Sequence, residues 1–307
     1  MPGHGQEHFR VGGESMGTVW SLDYYGHREQ APEVVRGAMI RAFHSVICEM
    51  SHWEGESALS RYNRAPASSW FAMPSGMAFV VDAAIQAALD SHGAFDPTLG
   101  AIVSRYGFGP PGSPTQGPCG FQQLRRDGKS LWQPGGLQLD LSAIAKGYAV
   151  DLAARCLEGL GVNSYLLELG GELRGAGVKP GGEPWWVSLE RPSGSDTPGF
   201  PDVLVGLCGL SIATSGDYRR QAMREGRIVS HTIDPRTQEP IANRIVSATV
   251  IHRDCMWADA YATAIGVLGW HSGLAFAEKR NLAALLVKRT PSCYEFIFSP
   301  AFRAMLE

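Results

Sequence analysis

Hydrophobic and polar positions along this chain follow two periods. From Thr18 to Tyr25 they alternate among residues that favour extended backbone, which predicts a strand. From Pro32 to Ser51 the positions Val34, Val35, Ala38, Met39, Ala42, Phe43, Val46 and Ile47 fall on one stripe, which predicts a helix. A second helix should start at Pro74 or Ser75 and end near Gly93, a residue suited to a left-handed cap. A third runs from about Ser142 to Leu160 before Gly161, and others lie near Trp257 to Leu268 and Ser272 to Arg280. Strand-like runs span Ser164 to Leu169, Trp185 to Glu190, Val203 to Cys208 and Ile228 to Ile233. Three more span Val246 to His252, Leu282 to Lys288 and Tyr294 to Phe298. Between Gly107 and Gly136, Pro110, Pro111, Pro114, Pro118 and Pro134 mark a surface excursion. Without steady βαβ alternation or internal repeats, the pattern predicts a mixed α/β (α+β) fold, with largely antiparallel sheets and packed helices.

Composition narrows the classes. The 307 residues are 44% hydrophobic and 19% charged, ordinary for a globular protein. That length suits one domain over residues 10–300, or two tightly joined lobes, with residues 1–9 a flexible polar N-terminus. A formal net charge of −3 gives no reason to expect nucleic acid or an anionic membrane as partner. No apolar run approaches the roughly 18 residues of a membrane span. No basic stretch leads into an apolar one at the N-terminus, so a cytoplasmic location is the expectation. The six cysteines form no CxxC pair, which disfavours a zinc or dithiol site. Cys48 and Cys156 sit among apolar residues and read as buried free thiols.

Polar, glycine and proline residues gather in a few short stretches. Asp259 and Thr263 are one turn apart on a predicted helix, so they share a face. A carboxylate with a hydroxyl suits Mg²⁺, which takes few protein ligands. Equally, Asp259 can complement a helix N-terminus and Thr263 can bond back to the carbonyl of residue 259. The stretch from Asp140 to Asp151 opens a helix, where Asp140 or Ser142 can cap and Lys146 can meet a ligand oxygen. Gly170, Gly171, Gly175 and Gly177 suit tight turns or close approach of a ligand, and they do not form the GxGxxG pattern. His231, in Ser230 to Arg236, is a candidate general base and equally a structural turn residue. Asp96 and Pro97 read as a helix-initiating turn or as part of a site.

In chain order these stretches resemble the ApbE family of FAD:protein FMN transferases. The resemblance is carried by Met16-Gly17-Thr18, Ser57 to Asn63, Ala94 to Gly100 with Tyr106 to Gly109, and Asp140 to Asp151. It continues through Glu168 to Arg174, Ser215 to Arg219, Ser230 to Arg236 and Ala258 to Thr263, covering about residues 10–290. It implies an ApbE-type fold and a transferase that attaches FMN from FAD, its substrate, to a threonine or serine of an acceptor flavoprotein, releasing AMP. It implies Mg²⁺ held by Asp259, Thr263 and backbone oxygen at Ala143 and Ala262. It implies FAD contacts at Met16, Trp53, Ala94, Phe95, Asp96, Asp140, Lys146 and Ile233, with His231 as catalytic base. Two other outcomes stay open at this point: hydrolysis of FAD to FMN and AMP, and a flavin-binding protein without turnover. The acceptor is not named by the sequence. The chain departs from many relatives in showing no export signal or lipobox cysteine, and from some in carrying Lys146 where they carry Glu.

Overall fold

Eight strands form one antiparallel sheet whose spatial order follows the chain: β1 (Glu7–Ser15), β2 (Thr18–Gly26), β3 (Ser164–Leu169), β4 (Glu172–Ala176), β5 (Leu210–Gly216), β6 (Ile245–His252), β7 (Ala283–Arg289) and β8 (Tyr294–Phe298). The computed structural model describes residues 5–191, 202–216, 221–224, 227–291 and 293–306. Four longer helices accompany the sheet: α1 (Pro32–Met50), α2 (Ser75–Asp90), α3 (Ala145–Gly159) and α4 (Cys255–Lys279). The expected mixed α/β fold with antiparallel sheet is the one observed.

The sheet buries both faces. Successive strand residues point to opposite sides, so Ala213, Val250 and Leu286 enter one core while Ile212, Ile251 and Leu285 enter another. The first core is closed by α1, α3 and α4, which present Val35, Met39, Phe43, Ala149, Ala153 and Ile265. The second is closed by Phe302 and by a hairpin of Trp185–Ser188 and Leu204–Leu207. Strand β6, sandwiched between them, therefore reads as an almost continuous buried run.

Three elements position the site. The β1–β2 hairpin turns on Met16 and Gly17, both left-handed with φ 52° and 71°, which matches the twist of two-residue hairpins. Helix α3 starts at Ala145, three residues later than the pattern predicts, because Leu141 C=O accepts Ile144 N–H at 3.1 Å and Ala145 N–H at 2.8 Å in a preceding turn. Helix α4 joins the two predicted C-terminal helices across a kink at Gly269, whose φ of 81° and ψ of −172° break the helix. The Asn243 amide repairs the break, donating to Gly266 C=O at 2.8 Å and Val267 C=O at 3.1 Å.

Several expectations change. Strand β1 begins at Glu7, so residues 7–9 belong to the sheet edge, paired with Gly26, Tyr25 and Tyr24, and are not a loose terminus. Within the proline-rich excursion, Arg126–Asp127 and Ser130–Gln133 pair with each other, and the latter also pairs with Ser69–Ala72. The run from 228 to 233 is broken at His231 into Arg227–Ser230 and Ile233–Asp234, which pair with different partners. All six cysteines are free, but Cys48 is exposed and Cys156 half-buried, while Cys255 is buried. Cys48 lies on the outer side of α1 beside His44, with Sγ 3.6 Å from Nδ1, away from the buried stripe. Among the described residues no helix is long and apolar enough to cross a membrane.

Candidate active site

Helices α3 and α4 cap each other. Asp151, in α3, accepts the first amides of α4, from Cys255 N–H at 2.9 Å and Met256 N–H at 2.9 Å. Asp259, in the second turn of α4, accepts Gly147 N–H of α3 through Oδ2 at 3.0 Å. Each carboxylate thus meets the positive end of the partner helix. The exchange needs backbones in contact, and Gly147 supplies that: a Cβ there would lie 2.7 Å from Met256 Cα and strike the Cys255 carbonyl. In a regular helix Gly147 N–H would turn to the carbonyl of Ala143. Its diversion to Asp259 leaves the Ala143 oxygen available close to that carboxylate.

Charge accumulates around this contact. The Lys146 ammonium is ion-paired with the Glu172 carboxylate, which is buried at the start of β4. Burial alone would lower the Lys146 pKa, but Glu172 and then Asp259 outweigh it, so the cation is retained and its pKa raised. Asp259 is 7% exposed, and burial pushes its carboxyl above the ordinary range, against the pull of Lys146 and Gly147 N–H. A dication held here in place of a proton would relieve that cost.

The donor set fits a hard, oxygen-seeking ion. Asp259 offers a carboxylate, Thr263 sits half-buried one turn further along α4, and Ala143 has a diverted carbonyl. Ala262 is fully buried inside α4, where the helical ladder uses the carbonyl, so it fits less well. Among the described residues no group of three His, Cys, Asp or Glu side chains forms a metal cage. One carboxylate with neutral oxygens is what Mg²⁺ takes when waters and phosphate oxygens complete its shell.

From this corner a cleft of about 330 Å³ opens between Trp53, Asn63, Val103, Pro110 and Asp140. Trp53 is 58% exposed on its wall, with its ring centroid 5.5 Å from that of His52. His52 Nδ1 lies 3.3 Å from Asp140 Oδ1, which also accepts Ser142 N–H at 2.8 Å. Burial would raise Asp140, yet His52 and Ser142 prevail and hold its carboxyl well below the usual range. Asp140 N–H in turn reaches the carbonyl of Pro97 at 2.8 Å, joining this loop to the Ala94–Thr98 turn.

The remaining predicted residues frame the same region with different exposure. Ala94 and Phe95 are core residues, so any ligand would meet their backbone. Asp96 is committed internally: Oδ1 accepts Thr98 N–H at 2.8 Å and its hydroxyl at 2.6 Å, and Oδ2 accepts Phe121 N–H at 3.0 Å. Burial nevertheless raises its pKa. Ile233 is buried with Leu99 and Ile102, placing the His231 bend over the helix at Gly100–Arg105. The His231 ring packs edge-on to Phe108, with centroids 6.1 Å apart. Met16 packs against the main core from the β1–β2 turn, beside Gly170, where a Cβ would lie 2.7 Å from the Thr18 methyl. Residues 217–219 of the Ser215–Arg219 stretch lie outside the described residues.

Sequence reasoning missed His52 and Asp151 as partners and treated Gly147 and Glu172 only as parts of longer stretches. His52 had a signal in its position beside Trp53. Asp151 had none, because its partners are amides more than a hundred residues away.

The family model for the ApbE family matches residues 16–286. An FAD:protein FMN transferase of Vibrio cholerae is 34% identical, over 98% of this chain and 93% of the relative. One of Klebsiella pneumoniae is 31% identical, over 96% of this chain and 88% of the relative. Among solved structures, the flavinyl transferase ApbE of Pseudomonas stutzeri in its apo form superposes with a TM-score of 0.88 at 36% identity, covering 98% of this chain and 97% of that one. The flavin transferase ApbE from Vibrio cholerae superposes with a TM-score of 0.87 at 33% identity, covering 97% and 99%.

Proposed function

The chain belongs to the ApbE family, and on that premise we propose that it is an FAD:protein FMN transferase, moving FMN from FAD onto a threonine or serine hydroxyl of an acceptor flavoprotein. The observation that carries the reading is the Asp259–Gly147 hydrogen bond. It ties the candidate metal ligands of α4 to the loop of Asp140, Ala143 and Lys146, so a pyrophosphate at the loop would face the carboxylate. Asp259, Thr263 and the Ala143 carbonyl would hold Mg²⁺, which would neutralise the pyrophosphate and the charge that develops on its oxygens.

The chain's own groups supply the rest. Lys146, kept cationic by Glu172, stands where a phosphate oxygen needs a partner. Trp53 offers an open aromatic face to one ring system of the dinucleotide. His231 accepts the proton of the acceptor hydroxyl as its oxygen bonds to the FMN phosphorus. The bond from that phosphorus to the bridging oxygen breaks in the same displacement, and AMP leaves. An alcohol gains from a base because its proton is lost only as the new bond forms, an advantage of typically about 10²–10⁴-fold.

Incubation with FAD, MgCl₂ and a flavoprotein acceptor, followed by intact-mass analysis of the acceptor, tests the reading. A mass gain of one FMN supports it. FMN and AMP formed without an adduct would assign hydrolysis instead.

A further inference from the structure

A second pocket, of about 290 Å³, is lined by Arg244, Val246, Arg289, Thr290 and Pro291. Both arginines are exposed, and among the described residues neither joins an ion pair. The neighbouring charges are already matched: Lys288 with Glu295 at 2.8 Å and Arg236 with Asp234 at 2.7 Å. Arg289 has an aromatic contact alone, its guanidinium 5.9 Å from the Tyr294 ring centre.

The backbone fixes both arginines in place. Arg289 N–H donates to the Arg244 carbonyl at 2.9 Å. Arg244 is left-handed, with φ 64°, a conformation that disfavours a branched or long side chain and that Gly adopts freely. It is forced by the flanking anchor: the Asn243 amide plugs the α4 kink, and its Oδ1 accepts Ile245 N–H at 3.1 Å.

The same anchor places the pocket beside the site. Asn243 bonds Gly266, which lies three residues beyond Thr263, or about 5 Å along a helix rising ~1.5 Å per residue. On the other side, Ile241 N–H donates to Thr232 C=O at 3.0 Å, next to His231. The three residues from Ile241 to Arg244 span at most about 10 Å. A protein whose hydroxyl reached His231 would therefore spread over Arg244 and Arg289. Covering two unmatched guanidinium groups without an anion would strand desolvated cations, which is strongly unfavourable.

We propose that the Arg244–Arg289 pocket receives an acidic side chain of the acceptor protein, close to the hydroxyl to be modified. The proposal rests on the transferase reading above, which makes a protein the second substrate. Arginine suits the task because its planar donors match a carboxylate in a bidentate way.

Two fluorescein-labelled peptides test it, each with a central threonine, one flanked by Asp and Glu and the other by Asn and Gln. Anisotropy titration of the wild-type protein should show the acidic peptide binding about tenfold tighter or more, a difference of ~1.4 kcal/mol. Arg289→Gln and Arg244→Gly should each reduce that preference, and together abolish it. Arg244→Gly suits the left-handed backbone, so it removes the charge without threatening the fold. Inorganic phosphate at millimolar concentration should not displace the acidic peptide; if it does, the pocket is a free-anion site and the proposal fails. Equal binding of both peptides, or a preference that survives the double variant, would also overturn it. A parallel FAD titration separates the two ideas: wild-type protein that ignores FAD sinks the transferase reading, whatever the peptides do. The peptide preference decides the pocket.

Discussion

Asp259 Oδ2 accepts the backbone amide of Gly147 at 3.0 Å, so one carboxylate both finishes the start of α3 and stands where the candidate ion would bind. The two roles separate by substitution. Asp259→Ala leaves a buried amide unmatched, at about 1–3 kcal/mol, and should lower Tm by several degrees while abolishing Mg²⁺-dependent transfer. Asp259→Asn retains an oxygen for the amide. It should melt closer to the wild type and still lose turnover, as calorimetry beside the transfer assay would reveal. Full activity in Asp259→Asn would remove Asp259 from the metal site.

Gly147 makes that contact feasible. Gly147→Ala drives a methyl group against the backbone of Cys255 and Met256, and overpacking of this kind typically costs about 1–3 kcal/mol. Thermal melts should show the loss, and transfer should fall with it because α3 and α4 are pushed apart at the site. An unchanged melting curve would mean that the helices part without penalty.

His231→Ala should slow transfer by about 10²–10⁴-fold and leave the FAD dissociation constant nearly unchanged. The expectation follows from its place at a bend beside Phe108, apart from the loop proposed to hold the pyrophosphate. Parallel losses in rate and FAD affinity would make His231 a binding residue.

Trp53→Ala removes a side chain that is already 58% exposed, so stability should change little. Loss of stacking on a base is worth about 1–3 kcal/mol, which predicts FAD binding weaker by roughly tenfold. Fluorescence titration of the flavin reads this directly.

Asp140 makes stability depend on acid. His52 and Ser142 hold its carboxyl low in the folded protein, against the opposing effect of burial. A depressed folded pKa stabilises above the unfolded value, near 4, and that contribution fades as pH falls toward the folded value. The Tm difference between wild type and His52→Leu should therefore be large at pH 6 and shrink at pH 3. A difference that grows on acidification would contradict the His52–Asp140 assignment.

Much of the fold could be read from periodicity, because β8 at Tyr294–Phe298 and α1 at Pro32–Met50 each bury a stripe that local pattern reveals. Strand β1 could not: residues Glu7–Ser15 carry Glu, His, Arg and Gly and lie at the sheet edge, so burial imposes no clear alternation on them. The site was legible as a set of stretches whose ordering matched a family. Its wiring was not. Asp259 reads as a residue of its own helix's first turn, whereas it completes α3, which comes more than a hundred residues earlier. Lys146 reads as a free cation one turn into a helix, and its match with Glu172 depends on where β4 lies against α3. Long-range pairings of this kind leave no periodic trace.

The central claim, transfer of FMN to a protein hydroxyl, is tested most directly by stoichiometry. Protein, FAD, MgCl₂ and an acceptor flavoprotein are incubated, and AMP is quantified against FMN-bearing acceptor over time. The account predicts one AMP for each FMN attached, and no adduct when the acceptor's modified threonine or serine is replaced by valine or alanine. AMP accumulating with free FMN while the acceptor mass stays unchanged would contradict it.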